Sequence, residues 1–269
     1  MYPISINEVP NDFSDCWFAA IQHIDSRTDP DTIFYIKQDL TPPLLEHISF
    51  RFGNQVFCIH VCDDLGDLSV PSSQEATIVA SEKANGIPCK MVMKKTADGW
   101  LPASDGWGLT HLRTGSTVVP EELITDELIE MSDWELQDFA IQIVRYVLEQ
   151  KGNQIRSWVP DPKVNPQLWF IDPNGAHHFV IVKWVRYPEI HAALPNNISD
   201  IVEMCSAESD SGFFVSVTIA NPAQQIDNPD DLNLLDPNAP QIEVQPLWRG
   251  SELLVDLTDL VSIDKVLIQ

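Results

Sequence analysis

Lys183 is the residue whose type and position most directly suggest chemistry. It lies near the end of the stretch NPQLWFIDPNGAHHFVIVKWV, residues 165–185, inside an otherwise apolar run. A charge in a strand that is buried on both faces is unfavourable unless it is paired. Lys183 is therefore either a structural lysine at the surface or edge of a sheet, or a lysine with a function.

Glu135 is a second candidate, at the beginning of the clearest helix in the sequence. Ser132-Asp133-Trp134-Glu135 has the form of a capping box, with Met131 and Leu136 spaced as a hydrophobic staple. Apolar residues then follow helical spacing until Gly152 ends the helix. The capping box accounts for Glu135 structurally, and participation in a functional site is the alternative.

The elements after this helix must position both side chains. Three strands are predicted, at Ile155–Trp158, Gln167–Ile171 and His178–Arg186. The last two are joined by a turn at Asp172-Pro173-Asn174-Gly175. A helix over Asn197–Cys205 and a strand over Phe213–Ala220 follow. The resulting order is helix, strand, strand, strand, helix, strand.

Over Ser132 to Ala220 this order resembles the core of the PD-(D/E)XK nuclease-like superfamily. The resemblance implies a restriction-endonuclease-like core. It further implies a glutamate on the first helix, a Pro-Asp pair opening the second strand and an acid-x-Lys motif on the third. In that superfamily the acids hold a divalent metal that activates water, and the lysine supports the nucleophile and the developing charge.

The resemblance can be followed residue by residue. Glu135 lies on the first helix, Pro166-Gln167 stands where Pro-Asp would be, and Ile181-Val182-Lys183 stands where acid-x-Lys would be. Both central acids are thus replaced, and an isoleucine offers no oxygen to a hard cation such as Mg²⁺. The sequence predicts a degenerate, non-catalytic site with remnants at Glu135, Gln167, Ile181 and Lys183.

A divergent metal-dependent nuclease stays open as an alternative, because an acid at a neighbouring position could replace the missing ligands. Asp161, Asp172 and Glu189 lie near the relevant strands. Asp172 lies in the turn, too far along the hairpin, whereas Asp161 precedes the strand and could fold back.

Cys58, His60 and Cys62 alternate along a predicted strand, so their side chains point to one face. They could supply three zinc ligands, but structural zinc sites usually combine two separated pairs, and no second pair is visible. A half-buried strand with small cysteines is the preferred interpretation. His177 and His178 are adjacent on a strand, face opposite ways and are interpreted as surface residues. No metal or cofactor is expected.

The overall composition describes a globular protein of strong negative charge. Of 269 residues, 44% are hydrophobic and 21% charged, and the net charge is −24 with a pI near 4.3. Such a field argues against nucleic acid and favours a basic protein partner. The five cysteines have no spacing typical of a disulfide framework, and the sequence shows no signal peptide and no apolar run long enough to cross a membrane. We therefore predict a cytoplasmic protein without membrane contact.

The acidic residues are concentrated in two regions. Between Thr114 and Val144 there are eight acids and no lysine or arginine, and from Tyr187 onwards fourteen acids face two bases. Acids in helix first turns have a structural reason through the helix dipole, and solvation is the usual role of acidic runs. The predicted partner-binding residues are Glu121, Glu122, Asp126, Glu127, Glu130, Asp230 and Asp231.

The chain is predicted to be an α/β (α+β) protein of two modules, an N-terminal domain over residues 1–118 and a nuclease-like, inactive domain over residues 119–269. The N-terminal part contains a helix near Asn11–Ile24, a hairpin over Ser49–Cys62, a helix over Ser73–Ala84 and a strand over Cys89–Lys94. A short helix is predicted after Thr41-Pro42-Pro43 and a long loop over Asn221–Pro240. Both parts have a hairpin, a helix, a strand and a Trp- and Gly-bearing segment in that order, which makes duplication a hypothesis.

Three functions follow from these observations. The preferred one is a non-catalytic acidic protein that binds a basic protein, such as an immunity or inhibitor protein of a toxin or nucleic-acid enzyme. The alternatives are the divergent nuclease and a chaperone-like scaffold of two acidic modules, since small acidic secretion chaperones have a comparable helix–strand order. The oligomeric state is not predicted.

Overall fold

The structure is a computed structural model that describes residues 9–29, 32–38, 40, 47–70, 73–209, 211–223 and 244–263. Within these residues the chain forms two β-sheets with interleaved helices. The predicted two-module α+β fold is confirmed. No helix in the described ranges has the length and apolar character needed to cross a membrane.

The first module contains a seven-stranded sheet within the described residues. Its elements are α1 (Asn11–Asp25), β1 (Ile33–Lys37), β2 (Ile48–Phe52), β3 (Gln55–Asp63), α2 (Gln74–Lys83), β4 (Ile87–Thr96), β5 (Gly99–Pro102), β6 (Leu109–His111) and β7 (Thr117–Val118). Strands β1, β2 and β3 pair antiparallel, β4 pairs parallel with β3, and β6 pairs antiparallel with β4. β5 forms a hairpin with β4, and β7 pairs with β6.

The second module contains a six-stranded sheet, again counted over the part of the chain that is described. Its elements are α4 (Asp133–Gln150), β8 (Gln154–Trp158), β9 (Leu168–Ile171), β10 (His177–Arg186), α5 (Ile198–Cys205), β11 (Ser211–Ala220), β12 (Leu254–Leu257) and β13 (Val261–Ser262). A short helix, α3 (Pro120–Leu123), lies in the segment between the modules. The order of elements predicted for this half is confirmed.

The two modules share one pairing pattern. In the second, β8, β9 and β10 pair antiparallel, β11 pairs parallel with β10 through the α5 crossover, and β12 pairs antiparallel with β11. This repeats the arrangement of β1, β2, β3, α2, β4 and β6. The Trp- and Gly-bearing segments at Trp107-Gly108-Leu109 and Trp248-Arg249-Gly250 lead into the corresponding strands β6 and β12. The structure therefore supports the duplication hypothesis at the level of topology.

Each sheet is covered on both faces. Successive side chains of its central strands point to opposite faces, and both sets are buried. On β3, Ile59 packs with α1 while Cys58 packs with Ala84 and Trp134 on the other face. On β10, Val182 faces the α4 side and Ile181 packs with α5. A sheet covered on both sides needs nearly continuous apolar strands, which is the pattern that made Lys183 conspicuous.

Most predicted elements are confirmed, with boundaries shifted by one to three residues. The sequence does not predict β1 or the short strands β5, β6 and β7, whose few residues carry no clear alternation. The helix predicted after Thr41-Pro42-Pro43 lies outside the described residues, as does most of the predicted loop Asn221–Pro240.

Candidate functional site

Lys183 is held by the backbone of a neighbouring loop. Its side chain is half-buried, and its Nζ donates a hydrogen bond of 3.0 Å to the carbonyl oxygen of Pro162. Burial lowers the pKa of Lys183, and the nearby carboxylate of Asp161 acts in the opposite direction. The lysine thus has a structural contact that explains its position on a buried strand.

Gln167 is completely buried and also has a structural role. Its Nε2 donates to the carbonyl oxygen of Val164 at 2.6 Å and to Oδ1 of Asn165 at 2.9 Å, and its Oε1 accepts from the backbone N–H of Val182 at 3.0 Å. The side chain therefore ties the loop before β9 to the middle of β10. An amide, which donates and accepts at once, suits this position better than a carboxylate would.

Ile181 lies in an apolar cluster on the α5 side of the second sheet. The cluster includes Trp169, Phe179, Ile201 and Phe214. Lys183 lies two residues further along the same strand and follows the same face by the alternation of the strand. Ile181 is therefore a core residue whose apolar character is required by its surroundings.

Glu135 has two structural roles. It completes the predicted capping box, since its Oε2 accepts from the Ser132 N–H at 2.9 Å and Ser132 Oγ accepts from the Glu135 N–H at 3.3 Å. It also forms a buried ion pair with Arg249, whose Nε lies 2.7 Å from Glu135 Oε1 and whose Nη2 lies 2.9 Å from Oε2.

Glu135 is thus held by contacts that differ from those of Ile181 and Lys183. Glu135 is engaged by Arg249 on the α4 side, whereas Lys183 contacts Pro162 and Ile181 packs against α5. Asp161 forms an ion pair with Lys83 at 2.7 Å.

Asp172 and Glu189, the other two acids considered as replacement metal ligands, do not join the motif residues either. Asp172 accepts hydrogen bonds from Asn174 and Ala176 within its own turn, and Glu189 is exposed. Across the described residues, no three His, Cys, Asp or Glu side chains come together in a way that could hold a metal ion.

The alternating residues of β3 do share a face, as the strand pattern predicts. Cys58 is fully buried against Trp134, and burial raises the pKa of its thiol to about 12. His60 is buried, and the Cys62 thiol contacts the carbonyl oxygen of Met91 at 3.9 Å. A buried thiol with a raised pKa is a poor metal ligand and nucleophile, because the thiolate is the reactive form.

The adjacent histidines of β10 are half-buried rather than on the surface. His177 Nδ1 lies 2.8 Å from a guanidinium nitrogen of Arg156. His178 Nδ1 lies 2.8 Å from Ser211 Oγ, and its Nε2 lies 3.5 Å from Asp172. They contact different neighbours, in agreement with their expected opposite directions.

Arg249 connects the two modules, and sequence reasoning did not identify it. Its guanidinium pairs with Glu135 and also donates to the carbonyl oxygens of Ala84 and Asn85, at the end of α2. The carbonyl end of a helix carries partial negative charge, which favours a cation. Arg249 therefore joins the C-terminal segment, the start of α4 and the end of α2.

A cavity of about 210 Å³ lies next to this ion pair, between β1 and β2 of the first module and α4 of the second. Its polar lining residues among those described are Arg51, Glu135, Asp138, Gln142 and Ser251, and Phe34 is an aromatic wall that is 46% exposed. Burial raises the pKa of the Asp138 carboxyl to about 7. No local pattern marks Arg51 or Asp138, because their proximity exists only after the modules have packed together.

The segment between the modules carries most of the predicted partner-binding residues. This connector, residues 119–130, is fixed to the β2–β3 turn by Asn54, whose Nδ2 donates to Thr125 Oγ1 at 2.9 Å and to the carbonyl oxygen of Glu127 at 2.8 Å. Its end pairs with the C-terminal segment through the bridge between Glu130 and Trp248. The connector is therefore an ordered surface feature.

All five predicted acids of the connector are exposed. Glu121 accepts from the Trp107 indole at 2.7 Å, and Glu130 pairs with Arg186 at 2.8 Å. The side chains without such a contact among the described residues are those of Glu122, Asp126 and Glu127. Apolar side chains are exposed among them, namely Leu123, Ile124 and Leu128. Asp230 and Asp231 lie outside the described residues.

The comparison with known proteins concerns the second module. Residues 134–263 match the model of a family described as Domain of unknown function (DUF8840). No curated protein and no solved structure matches the chain. The second module is thus similar to a family whose description names no activity, so function must be argued from geometry.

Proposed function

We propose that this protein is a non-catalytic binding protein for a basic protein partner. The observation that carries the proposal is the connector, an ordered and exposed segment with five acids and no base. Three of its apolar side chains are also exposed, and Leu128 reaches 68%. Acidic side chains around apolar anchors form the arrangement expected of a surface that attracts a basic protein and then holds it.

The charge balance of the whole chain supports this function. Forty acids face sixteen bases, and several of those bases are already paired, such as Lys83 with Asp161 and Lys95 with Asp12. Each such pair uses one acid and one base, so the chain keeps its net charge of −24. Such a field accelerates the arrival of a positively charged partner and weakens as the salt concentration rises.

The surroundings of the motif residues support the absence of catalysis. Gln167 and Ile181 have structural roles, and Glu135 is neutralised by Arg249. In addition, the helix and strand order shared with the nuclease-like superfamily occurs in both modules. This order supports a nuclease-like ancestry of the second module less strongly than it would if the second module alone had it.

A narrower form of the proposal is an immunity or inhibitor protein that covers the basic cleft of a toxin or nucleic-acid enzyme. The repeated topology favours a second candidate, a scaffold of two acidic modules with chaperone-like binding. Both candidates require a basic partner, and they differ in whether the partner is a folded enzyme or an extended client.

The test is affinity capture from nuclease-treated native lysate at low and high salt, with three matched proteins. They are the wild type, a connector variant (Glu122→Gln, Asp126→Asn, Glu127→Gln) and a control variant with equal charge change at exposed sites of the first module (Glu75→Gln, Asp98→Asn, Asp105→Asn). We expect a stoichiometric basic protein with the wild type and the control. It should be lost with the connector variant and at high salt.

Three results would contradict the proposal. They are capture that persists at high salt, capture that is equal for all three proteins, and no basic protein at either salt concentration. Manganese-dependent cleavage of nucleic acid by the purified wild type, absent in Lys183→Ala, would replace it with the nuclease alternative.

A further inference from the structure

The cavity between the modules has the features of a small-molecule site. Its volume of about 210 Å³ exceeds the roughly 30 Å³ that one water molecule occupies in the liquid. Of the ten described residues that line it, five are apolar: Phe34, Ile36, Met131, Phe139 and Leu253. A concave site that combines apolar walls with convergent polar groups is a common form of ligand pocket.

Arg51 is the group that defines what such a ligand must carry. It lies opposite Phe34 in the β1–β2 pairing, and its guanidinium carbon lies 5.0 Å from the centre of the Phe34 ring. Among the described residues its guanidinium has no hydrogen bond and no ion pair. Stacking on a ring fixes the guanidinium plane and leaves its N–H groups available at the edge.

No carboxylate among the described residues forms an ion pair or a hydrogen bond with Arg51, although that of Glu135 is close enough to act on it electrostatically. The carboxylate of Glu135 is already matched by two hydrogen bonds from Arg249. Asp138 is 3% exposed and contacts Gln142 through a long hydrogen bond of 3.4 Å. Burial raises the pKa of Asp138 and lowers that of Arg51, whereas the nearby carboxylate of Glu135 acts on Arg51 in the opposite direction. A guanidinium without a hydrogen-bonded acidic partner among the described residues is unexpected in a chain with a net charge of −24.

We propose that this cavity binds a small amphipathic carboxylate, with the carboxylate on Arg51 and the apolar group between Phe34, Ile36 and Phe139. A carboxylate matches the planar fork of a guanidinium through two parallel hydrogen bonds. Asp138 in its neutral form adds a donor on the opposite wall. The same chemistry exists in a free aliphatic acid and in the last residue of a polypeptide that ends in an apolar side chain.

The test is calorimetric titration of the full chain with two pairs of probes. Hexanoate and 1-hexanol represent the free acid with and without its charge, and N-acetyl-leucine and N-acetyl-leucinamide represent a polypeptide terminus. Each is titrated into the wild type, Arg51→Gln, Arg51→Lys and the control Lys95→Gln. Lys95 is a suitable control because it is an exposed cation stacked on a ring, that of Trp100.

We expect at least one carboxylate to bind the wild type about tenfold or more tightly than its uncharged counterpart, as a charged hydrogen-bonded pair implies. Arg51→Gln should abolish that preference while the uncharged probe still binds, which also verifies that the apolar walls are intact. Arg51→Lys should retain part of the preference, and Lys95→Gln all of it.

The two carboxylates distinguish the source of the ligand. Tighter binding of hexanoate indicates a free aliphatic acid, and tighter binding of N-acetyl-leucine indicates a polypeptide terminus. The proposal is overturned if neither carboxylate binds the wild type, or if charged and uncharged probes bind equally. It is also overturned if Arg51→Gln leaves carboxylate affinity unchanged. Should Arg51→Gln fail to fold, the preference measured on the wild type decides.

Discussion

Replacing Arg249 by methionine should strongly destabilise the protein. The Arg249 and Glu135 side chains are 1% and 4% exposed, so the variant leaves the carboxylate of Glu135 buried without its partner. Breaking a buried ion pair by removing one member typically costs about 3–5 kcal/mol. Loss of the hydrogen bonds to the end of α2 should lower the stability further, by at most about 1 kcal/mol.

The assay is urea denaturation followed by tryptophan fluorescence, for which the chain has eight tryptophans. We expect Arg249→Met to lower the free energy of unfolding by several kcal/mol. Lys95→Met is the matched control, because the ion pair of Lys95 with Asp12 is exposed on both sides and such pairs contribute about 0–1 kcal/mol.

The double variant Arg249→Met, Glu135→Gln isolates the pair. Glutamine retains the capping-box acceptor at Glu135 but removes the buried charge. The double variant should therefore lose less stability than the sum of its single changes, with a coupling of about 1–3 kcal/mol. Additive effects, or a loss for Arg249→Met no larger than that for Lys95→Met, would refute the view that this ion pair holds the modules together.

Three further changes test the structure elsewhere. Asp138 has a pKa raised to about 7 when folded, so its stabilising contribution is complete below its unfolded pKa of about 4 and is lost as the pH rises through 7. Across that window the stability of the wild type relative to Asp138→Asn should fall by up to about 4 kcal/mol in pH-dependent denaturation, and a constant difference would contradict this. Gln167→Leu leaves the Val182 N–H without its acceptor and should lower the free energy of unfolding by about 1–3 kcal/mol in the same assay. Unchanged stability would contradict this role of the amide. Gly212→Ala would place its Cβ 2.1 Å from the ring of Phe179 and should cost about 1–3 kcal/mol, which the added change Phe179→Leu should partly restore.

The main elements could be predicted from local patterns. The capping box at Ser132 and Glu135 and the apolar spacing behind it fix α4, because both depend on residues within a few turns. The alternation around Asp172-Pro173-Asn174-Gly175 likewise fixes the β9–β10 hairpin. By contrast β1 and β5–β7 were not predicted, since short strands depend on the neighbours with which they pair.

The candidate residues show where local reasoning ends. Their types suggested remnants of a metal site, but Gln167, Ile181 and Lys183 each have a structural contact that a motif comparison does not reveal. Whether the nuclease resemblance reflects ancestry stays a hypothesis. The acidic residues of the connector are evident from the sequence. Its fixed and exposed position depends on Asn54, which is far away in the sequence.

The longer helices, the principal strands, the two-module order and the strong negative charge can be read from the amino-acid sequence, because they follow from periodicity and composition. The pairing of Arg249 with Glu135, and the position of Arg51 and Asp138 at one cavity, become apparent only in the folded chain. Arg249 and Glu135 are 114 positions apart in the chain. Contacts of that kind arise from the packing of one module against the other, and no local pattern encodes them.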